Sequence, residues 1–291
     1  HAGPGHGLAI EFTDFAGAEA CRGEWDALLD RALEPTPTEP GTWRGRTTAD
    51  YWNMVGPFGG VTAATLLRAV QLHPDVLGEP LALTVNFAGP IEDGEFEVRA
   101  EPVRTNNSNQ HWTLELRHGD VVLTTGTMLT GVRRDTWTDV EATRPEADGP
   151  ENFERYPGLP GINWVSAYDL RYVSGGLPSE ADGSADDSRS TLWVRDQPAR
   201  PLDHAALTAM ADCFYPRAFR RRGGVGPAGT VTLTVHFLAD AAEVAAHGTE
   251  HLLGTAFSRR FGRGYFDQTG ELWSQDGRLL ATSHQLVYFK A

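Results

Sequence analysis

Few side chains in this sequence combine a reactive group with an unusual setting. Asp212 lies in the apolar stretch Met210-Ala211-Asp212-Cys213-Phe214, where a carboxylate is less ordinary than on a solvated helix face. A carboxylate can take up a proton, and hydroxyl and amide groups both donate and accept hydrogen bonds. Thr230, Thr232 and Thr234 recur at every second place of a β-like segment ending in His236-Phe237, so strand alternation puts their hydroxyls on one face. Gln285, between Ser283 and Val287 in a late hairpin, reads either as a polar group at a site or as a solvent-facing strand residue. Cys213 is a candidate nucleophile, but a small buried residue is the plainer reading. Arg220-Arg221-Arg222 can meet phosphate groups or balance a helix C-terminus, and the second reading is preferred. The 10 histidines show no metal-ligand spacing, so no metal is expected. No P-loop is present, and no nucleotide cofactor is implied.

Composition narrows the setting. The 291 residues, 40% apolar and 22% charged, suit one large globular domain or two of ordinary size. A formal net charge of −14 argues against nucleic acid or an anionic membrane as the main partner. No run approaches the roughly 20 apolar residues needed to span a bilayer. The start, His1-Ala-Gly-Pro-Gly-His-Gly7, has neither Met nor the apolar core of a signal peptide and stays outside the fold argument. Cys21 and Cys213 cannot frame a disulfide scaffold or a cysteine-rich zinc site, and a reducing cytoplasmic setting is expected.

The elements that must hold these residues repeat. Leu81-Ala-Leu-Thr84-Val-Asn-Phe87 returns as Val231-Thr-Leu-Thr234-Val-His-Phe237, with apolar residues at odd places, Thr at the fourth and Phe at the end. Repeats of this kind point to two similar halves with a ligand site at their seam. Residues 1–40 read as a lead-in, with helical spacing over 24–33 ended by Pro35-Thr-Pro-Thr-Glu-Pro40. The first half, 41–134, predicts a strand over 42–52, the tight turn Gly56-Pro-Phe-Gly-Gly60, a helix over 61–72, and strands over 81–87, 95–104, 110–117 and 121–132. Residues 135–190 are rich in Pro, Gly and acidic side chains and read as a linker, although Trp164 and Tyr168 imply that its middle packs on something. The second half, 191–291, predicts a strand over 191–195, a helix over 202–214 capped by Asp203, and strands over 230–237, 251–260, 264–274 and 278–289. Each half is strand, helix, then four strands. That order predicts an α+β double hotdog, a long helix on a curved antiparallel sheet, twice. Odd residues of the repeat should face the helix, with Thr230, Thr232, Thr234 and His236 on the opposite face.

Apart from the linker, residues 41–290 resemble the acyl-CoA thioesterase II family. The resemblance rests on Gly56-Pro-Phe-Gly-Gly60, both copies of the repeat, Ala211-Asp212-Cys213-Phe214, and the hairpin from Gln275-Asp-Gly to Gln285. It implies a double hotdog that hydrolyses acyl-CoA with an Asp, a Thr and a Gln holding a water. Residue by residue these fall on Asp212, on Thr230 seven places before Phe237, and on Gln285 ten places after Gln275. Asp212 would be the general base, with Thr230 and Gln285 fixing the water. Gly59 and Gly60, at a helix N-terminus, would let a carbonyl approach N–H donors as the oxyanion develops. Aligning 279–285 on 122–128 sets Met128 against Gln285, so one such site per chain is expected. The long acidic linker departs from the family. Two rival readings are a non-catalytic acyl-CoA or lipid-binding module, and an enoyl-CoA hydratase, whose Gly-Asp-x-Asn-Pro-like context is absent. Open sheet edges lead us to expect a homo-oligomer.

Overall fold

The structure, a computed structural model, describes residues 27–179 and 183–290. The start of the sequence, Cys21 and the first residues of the 24–33 helix lie outside the described residues. A short helix α1 (Leu28–Ala32) leads into a hairpin of β1 (Thr36–Glu39) and β2 (Thr42–Arg46), which crosses the boundary drawn at residue 40. The strand predicted to reach residue 52 stops at Arg46, because Ala49–Tyr51 form a 3-10 turn that buries the Tyr51 ring. Helix α2 (Gly59–Gln71) follows, then β3 (Glu79–Phe87), β4 (Glu95–Thr105), β5 (Asn109–His118) and β6 (Val121–Gly131). The linker contains 3-10 turns at Pro150–Asn152 and Asn163–Ala167 and an unforeseen strand, β7 (Tyr168–Ser174). The second half holds β8 (Ser190–Asp196), α3 (His204–Met210), α4 (Arg217–Arg222), β9 (Ala228–Phe237), α5 (Ala241–Ala246), β10 (Leu252–Phe257), β11 (Phe261–Gly262), β12 (Tyr265–Trp273) and β13 (Leu279–Phe289).

Asp203 caps α3 as expected, its carboxylate accepting the Ala206 N–H at 2.8 Å. The helix is shorter than predicted and ends at Met210, so Asp212 lies just beyond it. Helices α4 and α5 are each 6 residues long, too short for hydrophobic periodicity to reveal.

The strands form one antiparallel sheet in the order β1-β2-β4-β5-β6-β3-β9-β13-β12-β10-β8-β7, with β11 on β12. The order is mirrored about the β3–β9 pair: outward from it run β6, β5, β4, β2 on one side and β13, β12, β10, β8 on the other. The two copies of the repeat therefore pair with each other, centred on Thr84 opposite Thr234, whose hydroxyls lie 3.0 Å apart. Two hotdog halves thus share a continuous sheet, as the sequence repeat predicts.

One face of the sheet is buried. Along β4 every second residue from Phe96 to Ala100 is buried and its neighbours are exposed. Helix α2 lies against this face, with every residue from Gly60 to Val70 buried except Arg68. All seven residues of α3 are buried too. The two helices cross closely enough that a Cβ on Gly60 would stand 2.4 Å from the Ala209 carbonyl oxygen. Strand β7 pairs with β8 and buries Tyr168, while Trp164 stacks on Phe58 at 4.2 Å. The middle of the linker does pack, and it packs on the entry to α2. Among the described residues no helix is long and apolar enough to cross a membrane.

Candidate active site

Three elements bring the predicted polar residues together. Beyond α3 the chain stays loosely helical, with the Asp212 N–H on the Ala209 carbonyl at 3.2 Å and the Cys213 N–H on the Met210 carbonyl at 3.1 Å. That turn carries Asp212 to the N-terminus of α2. Gln285 faces inward from β13 and is 2% exposed. Its amide Nε2 donates to Asp212 Oδ1 at 3.0 Å. The Thr230 hydroxyl donates to Gln285 Oε1, also at 3.0 Å. The result is a directed chain of hydrogen bonds, Thr230 to Gln285 to Asp212.

Simple alternation places Thr230 on the wrong face for this contact, and the structure shows why the sequence expectation fails. On the β9–β13 ladder Thr232 pairs with Leu286 and Thr230 with Val287, so Val231 is an extra residue. This bulge shifts the strand's phase and turns Thr230 inward beside Val287 and Gln285. Thr234 keeps the phase set by buried Leu233 and Val235 and meets Thr84 on the other face; Thr232, across from exposed Leu286, shares that face. Only Thr230 of the three can reach Gln285. The first half repeats the bulge at Leu81, between Pro80 and Ala82. There Leu83 pairs with Met128, as Leu233 pairs with Gln285. The counterparts of Thr230 and Gln285 are thus Pro80 and Met128, which offer neither a hydroxyl nor an amide side chain.

The start of α2 forms the other wall. A Cβ on Gly59 would stand 2.7 Å from Asp212 Oδ2. The Gly60 N–H faces the same carboxylate. Gly60 therefore serves Asp212, while Gly59 lines the cavity. Burial pushes the Asp212 carboxyl up to about 7; the Gln285 amide and the Gly60 N–H pull the other way and only moderate the rise. Cys213 is buried and its thiol is pushed far up by desolvation, which removes it as a thiolate nucleophile.

The carboxylate opens on a cavity of about 300 Å³. Phe58, Phe87, Phe214 and Tyr215 line it, joined by Tyr156, Trp164 and Tyr172 from the linker. Residues assigned to a linker thus build much of the wall. Gln268 was also missed. It faces inward from β12 directly opposite Gln285, is 2% exposed, and donates to the Phe214 carbonyl at 3.4 Å. The signal for it was present: in Phe266-Asp-Gln268-Thr-Gly270-Glu-Leu272 a Gln occupies an apolar phase. Arg220 pairs with Asp187, and Arg221 and Arg222 donate to the Ala185 and Lys290 carbonyls, so this cluster ties down the end of α4. Among the described residues no group of three or more His, Cys, Asp or Glu is placed to hold a metal.

A tandem pair of hotdogs with one polar chain facing an apolar cavity defines a class of protein, and comparison with known proteins gives the family. Residues 48–131 match the acyl-CoA thioesterase N-terminal domain and residues 139–289 the C-terminal domain. A conserved protein of unknown function with a hot dog fold from Alicyclobacillus acidocaldarius is 46% identical, with a TM-score of 0.86 over 91% of this chain and 98% of its own. A putative thioesterase II from Thermobifida fusca shares the fold at a TM-score of 0.80 and 18% identity, over 90% of this chain and 97% of its own. An acyl-CoA thioesterase II from Mycobacterium marinum does so at 0.69 and 18%, over 90% and 97%. No curated protein matches. The chain belongs to the acyl-CoA thioesterase family.

Proposed function

We propose that this protein hydrolyses acyl-CoA thioesters to the free acid and CoA, with Asp212 as general base. The observation that carries this reading is the Thr230–Gln285–Asp212 hydrogen-bond chain at the wall of an apolar cavity. Thr230 spends its proton on Gln285, so its lone pairs are left to accept one from a water. Asp212 Oδ1 is occupied by Gln285, so Oδ2 is left to take the other. A water held between them points its oxygen lone pair into the cavity. Attack forms the new C–O bond as Asp212 takes the proton. Collapse breaks the C–S bond, and the thiolate leaves with the proton that Asp212 returns. Gly59, at the positive end of α2, favours the developing oxyanion in this reading, while Gly60 orients the base. A base of pKa about 7 is well matched to work near neutrality.

The test is release of CoA thiol from acyl-CoAs of rising size by wild type and Asp212→Asn. Turnover that collapses in the variant supports the reaction and the base together. A folded wild type that binds acyl-CoA without releasing thiol would instead make this a binding module.

A further inference from the structure

Resting on the thioesterase reading, the cavity wall also bears on which acyl group is taken. Eight of the 27 residues lining it are aromatic, about 30%, against 10% of the whole chain. They are ordered rings and not scattered ones. Phe58 and Trp164 stack face to face at 4.2 Å with their planes 6° apart. Tyr156 meets Tyr172 edge to face at 5.6 Å and 86°, and Tyr172 meets Tyr215 at 6.2 Å. Tyr215 is fixed in turn, its hydroxyl donating to the Gly175 carbonyl at 2.8 Å. The cavity, about 300 Å³, is roughly twice the ~150 Å³ that holds one benzene. That leaves room for a ring, a short spacer and the thioester, and little for a long alkyl chain.

We propose that the preferred substrates are CoA thioesters of compact, ring-bearing acids, such as arylalkanoyl groups, whose ring is read by the Phe58–Trp164 and Tyr156–Tyr172–Tyr215 groups. A flexible alkyl chain gains buried area in such a cavity. A ring gains area and also the stacked and edge-to-face contacts that the walls already make with one another, and it loses fewer rotors on binding. Three of these rings, Tyr156, Trp164 and Tyr172, come from the segment between the two repeats, which the family's C-terminal domain match includes.

The experiment compares 3-phenylpropanoyl-CoA with linear nonanoyl-CoA, which has the same carbon number, and with palmitoyl-CoA. Two readouts are taken: kcat/KM in wild type, and affinity in Asp212→Asn from quenching of tryptophan fluorescence. The expected result is a preference of about tenfold or more for the ring-bearing thioester in both, with palmitoyl-CoA poorest. In Trp164→Leu and Tyr172→Leu the ring-to-linear ratio should fall several-fold. Because that ratio is taken within one preparation, partial unfolding of a variant does not alter it. Equal or better use of nonanoyl- or palmitoyl-CoA by wild type would overturn the proposal and leave thioester hydrolysis standing. Ring-selective binding by Asp212→Asn with no turnover by wild type would uphold the ring preference and overturn the hydrolysis.

Discussion

A buried carboxylate proposed as the catalytic base gives Asp212 two opposed effects. Its folded-state pKa is raised from 3.8 to about 7, so its contribution to stability is fully present below about pH 4 and is lost as pH rises to about 7. Above that, the charge the base needs is a charge the fold must keep out of water. Asp212→Asn should therefore lower kcat at least a hundredfold while raising the melting temperature at pH 8 relative to wild type, with no gain at pH 4; thermal melts at the two pH values check this. In wild type, kcat/KM should rise with pH through a midpoint near 7 and then level off, since the ionised form is the base. Thr230 acts through its place in the chain of hydrogen bonds. Thr230→Val leaves Gln285 Oε1 without its donor and the proposed water without an acceptor, so kcat should fall about ten- to a hundredfold with KM little changed, whereas Thr230→Ser should keep most of the activity. These three residue types were legible in the sequence because their order matched a family pattern. Gln268 was not, because one polar residue in an apolar phase looks like ordinary variation until its cross-strand neighbour is known.

Element boundaries and local irregularities decide whether those residues meet. The repeat, α2 and most of the longer strands could be read from apolar patterning, because each is a long element that buries one face, or nearly all of itself, in the core. The bulge at Val231 could not. An extra residue in a ladder is a property of the pairing, and the sequence of one strand carries no record of its partner. Strand β7 was hidden for a different reason: its Tyr168-Asp-Leu-Arg-Tyr-Val-Ser174 run is short, and the flanking Pro, Gly and acidic residues dominate the composition. At the start of α2 the two glycines have separable tasks. Gly60→Ala drives a Cβ to 2.4 Å from the Ala209 carbonyl oxygen, a backbone atom that cannot yield without moving α3 away from α2. It should cost about 1–3 kcal/mol of stability and activity with it. Gly59→Ala meets Asp212 Oδ2 at 2.7 Å, the movable end of a side chain. It should displace the base and lower kcat while leaving the denaturant midpoint close to that of wild type. Urea unfolding alongside steady-state kinetics separates the two, and equal stability losses would show that both glycines serve only helix packing.

The whole molecule is one unit even though its sequence is written twice. The halves are joined where the copies of the repeat pair, Ala82 to Asn86 against Thr232 to His236, so dividing them exposes two long strand edges and the buried faces of both helices. The site crosses the same divide. Asp212, Thr230 and Gln285 belong to the second half, yet the N–H facing the Asp212 carboxylate is that of Gly60 in the first, and Phe58 and Trp164 close the cavity from the first half and the linker. Pro80 and Met128 at the equivalent places mean that the first half has no matching site of its own and acts as the second half's wall. Residues 191–291 expressed alone should therefore show no thioesterase activity despite carrying every member of the hydrogen-bond chain, and should expose enough apolar surface to bind a reporter dye or aggregate. Co-expression with residues 27–190 should recover activity and a native-like circular dichroism melt, because the β3–β9 pairing and the α2–α3 contact can form between separate chains. A second half that turned over acyl-CoA by itself would show that Gly60 and the linker rings are dispensable, and that the halves are joined for stability alone.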